Sequence, residues 1–374
     1  MDILWNICYY KLIMDISEFK NVLIVDLLRI GDTVVTFPAI RAVRENLPEA
    51  HITLAVSPNL KSIVEDQELA DNIVYFDCKK NGRNPFLIWK FSKTLPAHIY
   101  DLAIVLDTRL TSNLIAFWAN SKRRIGYNYR CRGFLLTDKV KAPLYWNKPM
   151  WEYSDSIKVS HEVDSWLKLI EKAGFPLKEQ RPYIRESHES QKRCESFLKE
   201  HNVAQTDTLV CIHPGSNTSY QWQADRFAQV GDFIIEKLKA KVCISGGPDD
   251  ADLIKEIENN MHAKPIASNC GMNLGQYAEV LRRADLLVSV DTCATHIASA
   301  VNTPVIALFG PGDPRIWRPY GEEHIVIQKE DAFCLGCKKP VCKQDKHYCM
   351  DAITVEEVCK AVYNKLQEIT KGDV

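Results

Sequence analysis

The residues richest in chemistry lie between Leu286 and Asp313, LLVSVDTCATHIASAVNTPVIALFGPGD. Two apolar runs of strand length, Leu286 to Val290 and Val305 to Phe309, bracket a segment whose Ala294, Ile297, Ala298 and Val301 would pack closely on a sheet. Asp291 closes the first strand and Thr292 can cap the helix, leaving backbone N–H groups near Cys293 to Thr295 pointing into open space at the strand's carboxyl end. That is a place to hold a phosphate. His296 falls in the first helical turn beside the same crevice.

Two other groups of residues could do chemistry. Asp32 follows Gly31 in the turn LLRIGD, at the entrance of an apolar-periodic helix through Val34, Phe37, Ile40, Val43 and Leu47. By spacing alone Asp32 reads as an N-cap; the alternative is a carboxylate aimed into an interdomain cleft, free to accept a proton. Cys334, Cys337, Cys342 and Cys349 form C-x2-C-x4-C-x6-C. Thiolates at this spacing can close a structural zinc site or hold an iron–sulfur cluster, and the competing reading is a reduced loop of unconnected cysteines.

The elements that must position these residues alternate between strand and helix. Asn21 to Asp26, Ile52 to Val56, Ile73 to Phe76 and Leu102 to Leu106 are apolar runs with helical segments between them, which indicates a parallel, doubly wound sheet. Pro38, early in the helix after the first strand, is expected to bend it. A second series starts at Leu209 with the strand LVCIH and the phosphate-sized turn PGSN, and continues through a helix over Asp225 to Leu238, the strand KVCIS, the turn GGPDD and a helix over Asn273 to Ala284. Its carboxyl-end loops, including Gly215, Ser216, Asp250 and Asp291 to His296, would gather at one edge, where parallel sheets bind ligands. A polar, charged stretch near residues 179 to 201 separates the two series. The chain therefore divides into an N-terminal extension over 1–20, a first domain over 21–185, a second over 186–350 carrying the cysteine segment 334–349, and a terminal helix within 351–374.

The 374 residues suffice for two domains of ordinary size. Lys+Arg 47 against Asp+Glu 48 leaves a net charge of -1, which argues against a nucleic-acid binder. Thirteen cysteines without a convincing secretory signal fit a reducing cytoplasm. The first 19 residues are apolar and aromatic but broken by Asp2, Lys11, Asp15 and Glu18; they read as a packed helix or an extension, with peripheral contact at a membrane surface as the alternative. A run of Lys122, Arg123, Arg124, Arg130 and Arg132 with Tyr127 and Tyr129 reads either as a solvated face or as a surface for an anionic or sugar-like ligand. No G-x-G-x-x-G follows the first strand, which speaks against a dinucleotide-dependent oxidoreductase.

VLIVDLLRIGDTVVTFPAIRAVRENLP, then RRIGY, HEVDSWLKLI, HPGSN, WQADRF, SGGPDD, VSVDTCATHIASA and PVIALFGPGDP, stand in an order that resembles glycosyltransferase family 9, the ADP-heptose:lipopolysaccharide heptosyltransferases and relatives. The resemblance runs from about Val22 to Gly321 and implies an α/β GT-B fold, two Rossmann-like domains facing a cleft, with the acceptor held mainly by the first domain and the nucleotide sugar by the second. It implies that Asp32 is the general base of an inverting transfer and that Asp250 holds the ribose hydroxyls. Met272 would line the base pocket and Asp291 meet the donor sugar's hydroxyls. Leaving-group charge would fall on fixed donors, Gly215 and Ser216 in one turn and Thr292, Cys293 and His296 in the other, with no cofactor required for the chemistry. Arg123, Arg124 and Arg130 are the expected acceptor-binding residues. Two positions depart from the family pattern: Tyr220 stands where a donor-binding Lys is usual, two residues before Trp222, and Cys293 stands where a Gly follows Asp-Thr.

The expected activity is transfer of a sugar, heptose from ADP-heptose first among them, to a lipopolysaccharide-core or other lipid-linked cell-envelope acceptor at the inner membrane face. The rivals are a transferase of the same family using another nucleotide sugar, and a catalytically idle sugar-nucleotide or metal-binding protein.

Overall fold

Uninterrupted apolar runs become strands buried on both faces, the pattern expected where helices cover a parallel sheet from either side. A computed structural model of the chain describes residues 16–153, 157–178, 181–268 and 271–372, so most of the expected extension over residues 1–20 lies outside the described residues. Strands β1 (Asn21–Asp26), β2 (His51–Val56), β3 (Asn72–Tyr75), β4 (Tyr100–Val105), β5 (Ser121–Asn128) and β6 (Asp138–Lys141) form one sheet in the order β3-β2-β1-β4-β5-β6. Strands β7 (Leu209–His213), β8 (Lys241–Ile244), β9 (Ala267–Ser268), β10 (Leu286–Val290), β11 (Val305–Phe309) and β12 (Ile325–Gln328) form the other, β12-β11-β10-β7-β8-β9. Every pairing in both is parallel. Each sheet reverses its strand order once, between β1 and β4 and between β7 and β10, and these crevices are where doubly wound sheets bind ligands.

The eight strands legible as apolar runs are present. The four that are not are β5, β6, β9 and β12. Three of them end a sheet, and β5, SKRRIGYN, carries the basic run on its first half, so it reads as a charged surface. The helix at Leu274–Arg283 starts where Asn273 caps the Gln276 N–H and Gln276 returns a bond to the Asn273 N–H. The helix Ile30–Asn46 runs through Pro38 as a single element of 17 residues. The terminal helix Val355–Gly372 lays Val358, Val362 and Leu366 into the core of the second half, against the helix Ala224–Glu236.

The two halves meet along small residues. The helix Ile30–Asn46 packs on the helix Cys293–Ala300, and one apolar core runs from Val34 and Ile40 through to Ala294 and Ile297. Gly275 lies so close to the Ser62 carbonyl of the first half that a Cβ there would overlap it. We therefore expect Gly275→Ala to lower stability by about 1–3 kcal/mol, the range of overpacked cores, read as a lower denaturation midpoint. An unchanged midpoint would show that the halves do not meet at this point.

Candidate active site

Asp26 ends β1 and Asp107 follows β4, both fully buried at the crevice of the first sheet. Asp26 accepts from Thr36 Oγ1 at 2.6 Å, Thr33 Oγ1 at 3.3 Å and the Leu28 N–H at 3.2 Å. Asp107 accepts from Ser112 Oγ at 2.5 Å and from the N–H groups of Arg109 and Leu27 at 2.7 and 3.4 Å, while the Arg109 guanidinium donates to the Leu27 carbonyl. The turn from Leu27 to Arg29 is thereby fixed to both strands. Burial pushes Asp26 up to about 7, so near neutrality it holds a proton part of the time.

That turn delivers Asp32 as the third residue of the Ile30–Asn46 helix. The helix N-cap is Arg29 and not Asp32, and it has no side-chain cap bond. Asp32 accepts from the Arg29 N–H, half of a capping box, so the capping reading survives in reduced form. Its half-buried carboxyl also lines a cavity of about 220 Å³ with Leu28, Thr108, Tyr129, Trp146, Glu162 and Trp166. Ile316, Trp317 and Lys338 complete the lining from the second half of the chain. Burial raises the Asp32 pKa, and the positive charges of Arg29 and Arg109 oppose the rise.

The residues expected to bind the donor lie around the second sheet. Gly215 follows β7 and lies directly under the Asp250 carboxylate, where any Cβ would overlap. Asp250 accepts the Gly247 N–H at 2.8 Å. Ser216 Oγ donates to the Asp291 carbonyl at 3.1 Å, so its hydroxyl braces the neighbouring turn. The Asp291 carboxylate lies over Gly312, another place a side chain would not fit, and desolvation and then the charge of Asp32 push it up to about 7. Thr292 is the N-cap of the helix Cys293–Ala300 without a side-chain cap bond. Met272 lies ahead of Asn273, partly buried against the core. His296 is buried edge-on to Trp317 at 6.1 Å, and burial lowers its pKa to about 3, so it is a neutral imidazole at pH 7. Tyr220 is half-buried, its phenol pKa raised by burial and then by Asp291.

The two halves come together beside Asp32, at Gly31. A Cβ at Gly31 would come within 3.0 Å of both Cys293 Cα and His296 Cδ2, so the two helix starts touch. The physical reason is size, since glycine faces cysteine there and nothing holds the turns apart. Asp32 and Asp291 nonetheless sense each other electrostatically across that contact.

The arginines expected to hold an acceptor are elsewhere. Arg123 pairs with Asp138 on β6, Nη2 to Oδ1 2.5 Å. Arg124 donates to the Leu135 and Ser121 carbonyls at 2.7 and 2.5 Å and covers the Phe117 ring. Neither lines the cavity; both have backbone or carboxylate partners beside their own strand. Arg130 is exposed and lies over the ring of Tyr129, which does line it. In place of arginines the cavity has an aromatic wall, with Trp146 5.5 Å from Trp166 and 5.0 Å from Tyr127. Glu162 lines the cavity beside these rings, buried, accepting from Trp146 Nε1 at 2.8 Å and pushed up to about 8 by burial. Only the segment HEVDSW, with an acid and a Trp one helical turn apart, hinted at this from the sequence.

The expected metal ligands Cys334, Cys337, Cys342 and Cys349 lie in one segment after β12. Among the described residues no group of three or more His, Cys, Asp or Glu side chains is arranged to hold a metal ion. Cys349 is buried near Cys334 and Cys337, which with burial push its thiol up to about 12, whereas Cys342 Sγ turns to the Lys346 carbonyl at 3.8 Å. The segment is tied instead to the turn after β11: the Gly336 N–H donates to the Gly310 carbonyl at 3.1 Å and the Lys338 N–H to that of Pro311 at 2.8 Å. This brings Lys338 to the cavity, where Nζ donates to the Tyr145 carbonyl and the Tyr153 hydroxyl, each at 3.0 Å. His161, capping the helix Glu162–Lys172, adds a further tie through Nε2 to the Arg318 carbonyl at 2.7 Å.

Two doubly wound parallel sheets in contact, with a carboxyl cluster and a helix start at their junction, define a GT-B protein. The sequence profile of glycosyltransferase family 9 (heptosyltransferase) matches residues 88–348, and the chain belongs to that family and is a glycosyltransferase. Lipopolysaccharide heptosyltransferase 3 of Escherichia coli K12 is 27% identical over 354 residues, 90% of this chain and 96% of that one. A family 9 glycosyltransferase structure from Veillonella parvula superposes with a TM-score of 0.82 at 23% identity, covering 93% of this chain and 98% of the other. The E. coli ADP-heptose lipopolysaccharide heptosyltransferase II structure superposes at 0.73 with 17% identity, over 94% and 99% of the chains.

The raised acids set the sign of the pH dependence. Glu162 binds its proton more tightly folded than unfolded, so the stability it contributes is complete below its unfolded pKa and is lost as pH rises toward about 8. Asp26 and Asp291 act the same way toward about 7. We expect the denaturation midpoint to fall between mildly acidic and mildly alkaline pH, and Glu162→Gln to flatten that fall. An equal slope in the variant would show that Glu162 ionises freely in the folded chain.

Proposed function

We propose that the chain transfers heptose from ADP-heptose to a lipopolysaccharide-core acceptor with inversion at the anomeric carbon, and that Asp32 is the general base. The observation that carries this reading is the position of Asp32: a desolvated carboxyl on the wall of a cavity built by both halves, next to the turn of Asp291 and Thr292. A raised pKa makes a carboxylate a stronger base. The acceptor hydroxyl gives its proton to Asp32 as its oxygen bonds to the anomeric carbon. The bond from that carbon to the diphosphate breaks on the opposite face, and its electron pair leaves with the nucleotide. Backbone N–H groups at the start of the helix Cys293–Ala300 meet that charge. Asp250 and Met272 take the ribose and base, and the aromatic wall with Lys338 takes the acceptor sugar. The names of the relatives, heptosyltransferases acting on lipopolysaccharide, support the choice of donor and acceptor.

Among the described residues no helix is long and apolar enough to cross a membrane. We place the enzyme in the cytoplasm, meeting a lipid-linked acceptor peripherally at the inner membrane. A second reading, transfer from another nucleotide sugar, is favoured by Tyr220, which puts a neutral phenol where a donor-binding cation is usual. A panel of nucleotide sugars, read by thermal shift and by product mass, separates the two; stabilisation by ADP-heptose alone supports the first.

Asp32→Asn is expected to lower kcat by roughly a hundredfold to ten-thousandfold, the span of a positioned general base, while ADP-heptose still raises the denaturation midpoint. In the parent enzyme kcat should rise with pH through a pKa above the ordinary aspartate value, and that limb should vanish in the variant. Full turnover by Asp32→Asn would remove Asp32 from the mechanism. Because the reading assigns leaving-group charge to protein donors, EDTA should leave turnover unchanged; loss of turnover restored by a divalent ion would overturn that assignment.

A further inference from the structure

Away from the cavity, the first half carries a surface made almost without acids. Residues 78–100 hold Lys79, Lys80, Arg83, Lys90 and Lys93, and no Asp or Glu. Residues 108–137 hold six further Lys or Arg and again no acid. The two stretches fold against each other. The helix Pro85–Lys93 packs beside the helix Leu110–Trp118, which in turn packs on the short helix Arg132–Leu135. Thr111 Oγ1 donates to the Gly82 carbonyl at 2.9 Å, Lys93 Nζ to the Trp118 carbonyl at 2.6 Å, and Asn113 Nδ2 to the Arg132 carbonyl at 3.2 Å.

These packed elements present large apolar side chains to solvent. Phe86 and Phe134 are each 63% exposed, and Phe117 and Trp89 are 44% and 43% exposed. Phe86 and Trp89 are stacked at 5.9 Å, while Ile88 between them is buried in the core below. Exposed cations stand among them: Lys79, Lys80 and Arg83 ahead of the helix, Lys90 on it, and Arg132 beside Phe134. Aromatic rings ringed by cations, with Asp77 occupied as the cap that accepts the Lys80 N–H at 3.0 Å, match the interface of an anionic bilayer: rings at headgroup depth, ammonium and guanidinium groups on the phosphates. An exposed apolar patch rimmed by charge marks an interaction surface. A protein partner would more often be met with both signs of charge in balance, and here the exposed cations Lys79, Lys80, Arg83, Lys90 and Arg132 predominate.

We propose that this face, built on the helix Pro85–Lys93 and its two neighbours, docks the enzyme on a membrane surface carrying anionic lipid headgroups. Thr108, on the cavity wall, lies just ahead of Leu110, the first residue of the middle helix, so docking sets the cavity beside the bilayer. The benefit to turnover rests on the acceptor being lipid-linked; the docking itself does not.

The test is co-sedimentation of the full chain with vesicles of phosphatidylcholine alone and of phosphatidylcholine mixed with phosphatidylglycerol. Binding to the mixed vesicles only, weakened by salt, is expected. The double variant Phe86→Ser/Trp89→Ser should release the protein while its denaturation midpoint and ADP-heptose shift stay as in the parent. Each of Lys79→Ala and Lys90→Ala should weaken binding about fivefold, the worth of one cation near an anionic surface. Absence of parent binding, or parent-like binding by the double variant, overturns the proposal, the latter moving the contact to another part of the chain. Equal binding to both vesicle types removes the anionic lipid from it. A change of oligomeric state in the double variant without change in vesicle binding makes the face a contact between copies.

Discussion

The close approach of Gly31 to Cys293 and His296 is the constraint on which the site depends. Two helix starts, each at the carboxyl edge of its own sheet, touch there, and the touch is possible because one side has no side chain and the other a small one. Its electrostatic consequence is large. Burial at the junction raises the pKa of Asp32 and of Asp291, and the charge of Asp32 adds to the rise at Asp291. Cys293 is also explained by it. A residue larger than glycine at this place fits because Gly31 opposite yields the space, so the departure from the family pattern is absorbed in packing.

Such a junction works only if each turn is rigid, and the first half supplies that with buried acids. Asp26 and Asp107 accept six hydrogen bonds between them from the turn and the helices that follow their strands. A buried carboxyl without donors would cost several kcal/mol, and here the donors are the N–H and hydroxyl groups that need holding. The second half uses the same device with glycines. Gly215 admits the Asp250 carboxylate and Gly312 admits that of Asp291, so each acid is located by the absence of a neighbouring side chain.

Much of this was legible in the sequence, and what was not has identifiable causes. Strands such as NVLIVD and LLVSV are apolar on both faces, and their buried position follows from that alone. β5 was hidden because it alternates around a charged start. The turns after β7, β8 and β10 were legible because they announce themselves by Gly, Asp and Thr. Arg123 and Arg124 were expected to face a ligand because a run of cations is conspicuous, whereas nothing in the chain shows that Asp138 and nearby carbonyls engage them. Glu162, Trp146 and Lys338 come from three distant segments, and only the fold brings them together.

Lys338 also changes how the cysteine segment is understood. Its backbone is bonded to the turn after β11, and Lys338 reaches the cavity that Asp32 lines. With Ile316 and Trp317, it makes the cavity a product of both halves, so a ligand bound there touches both. Burial lowers the Lys338 pKa while Asp313 and Glu162 oppose the drop, and the cation is held in place by two oxygens of the first half, the Tyr145 carbonyl and the Tyr153 hydroxyl. The same ammonium therefore links the halves and lines the cavity, and separating the halves would remove it from both roles at once.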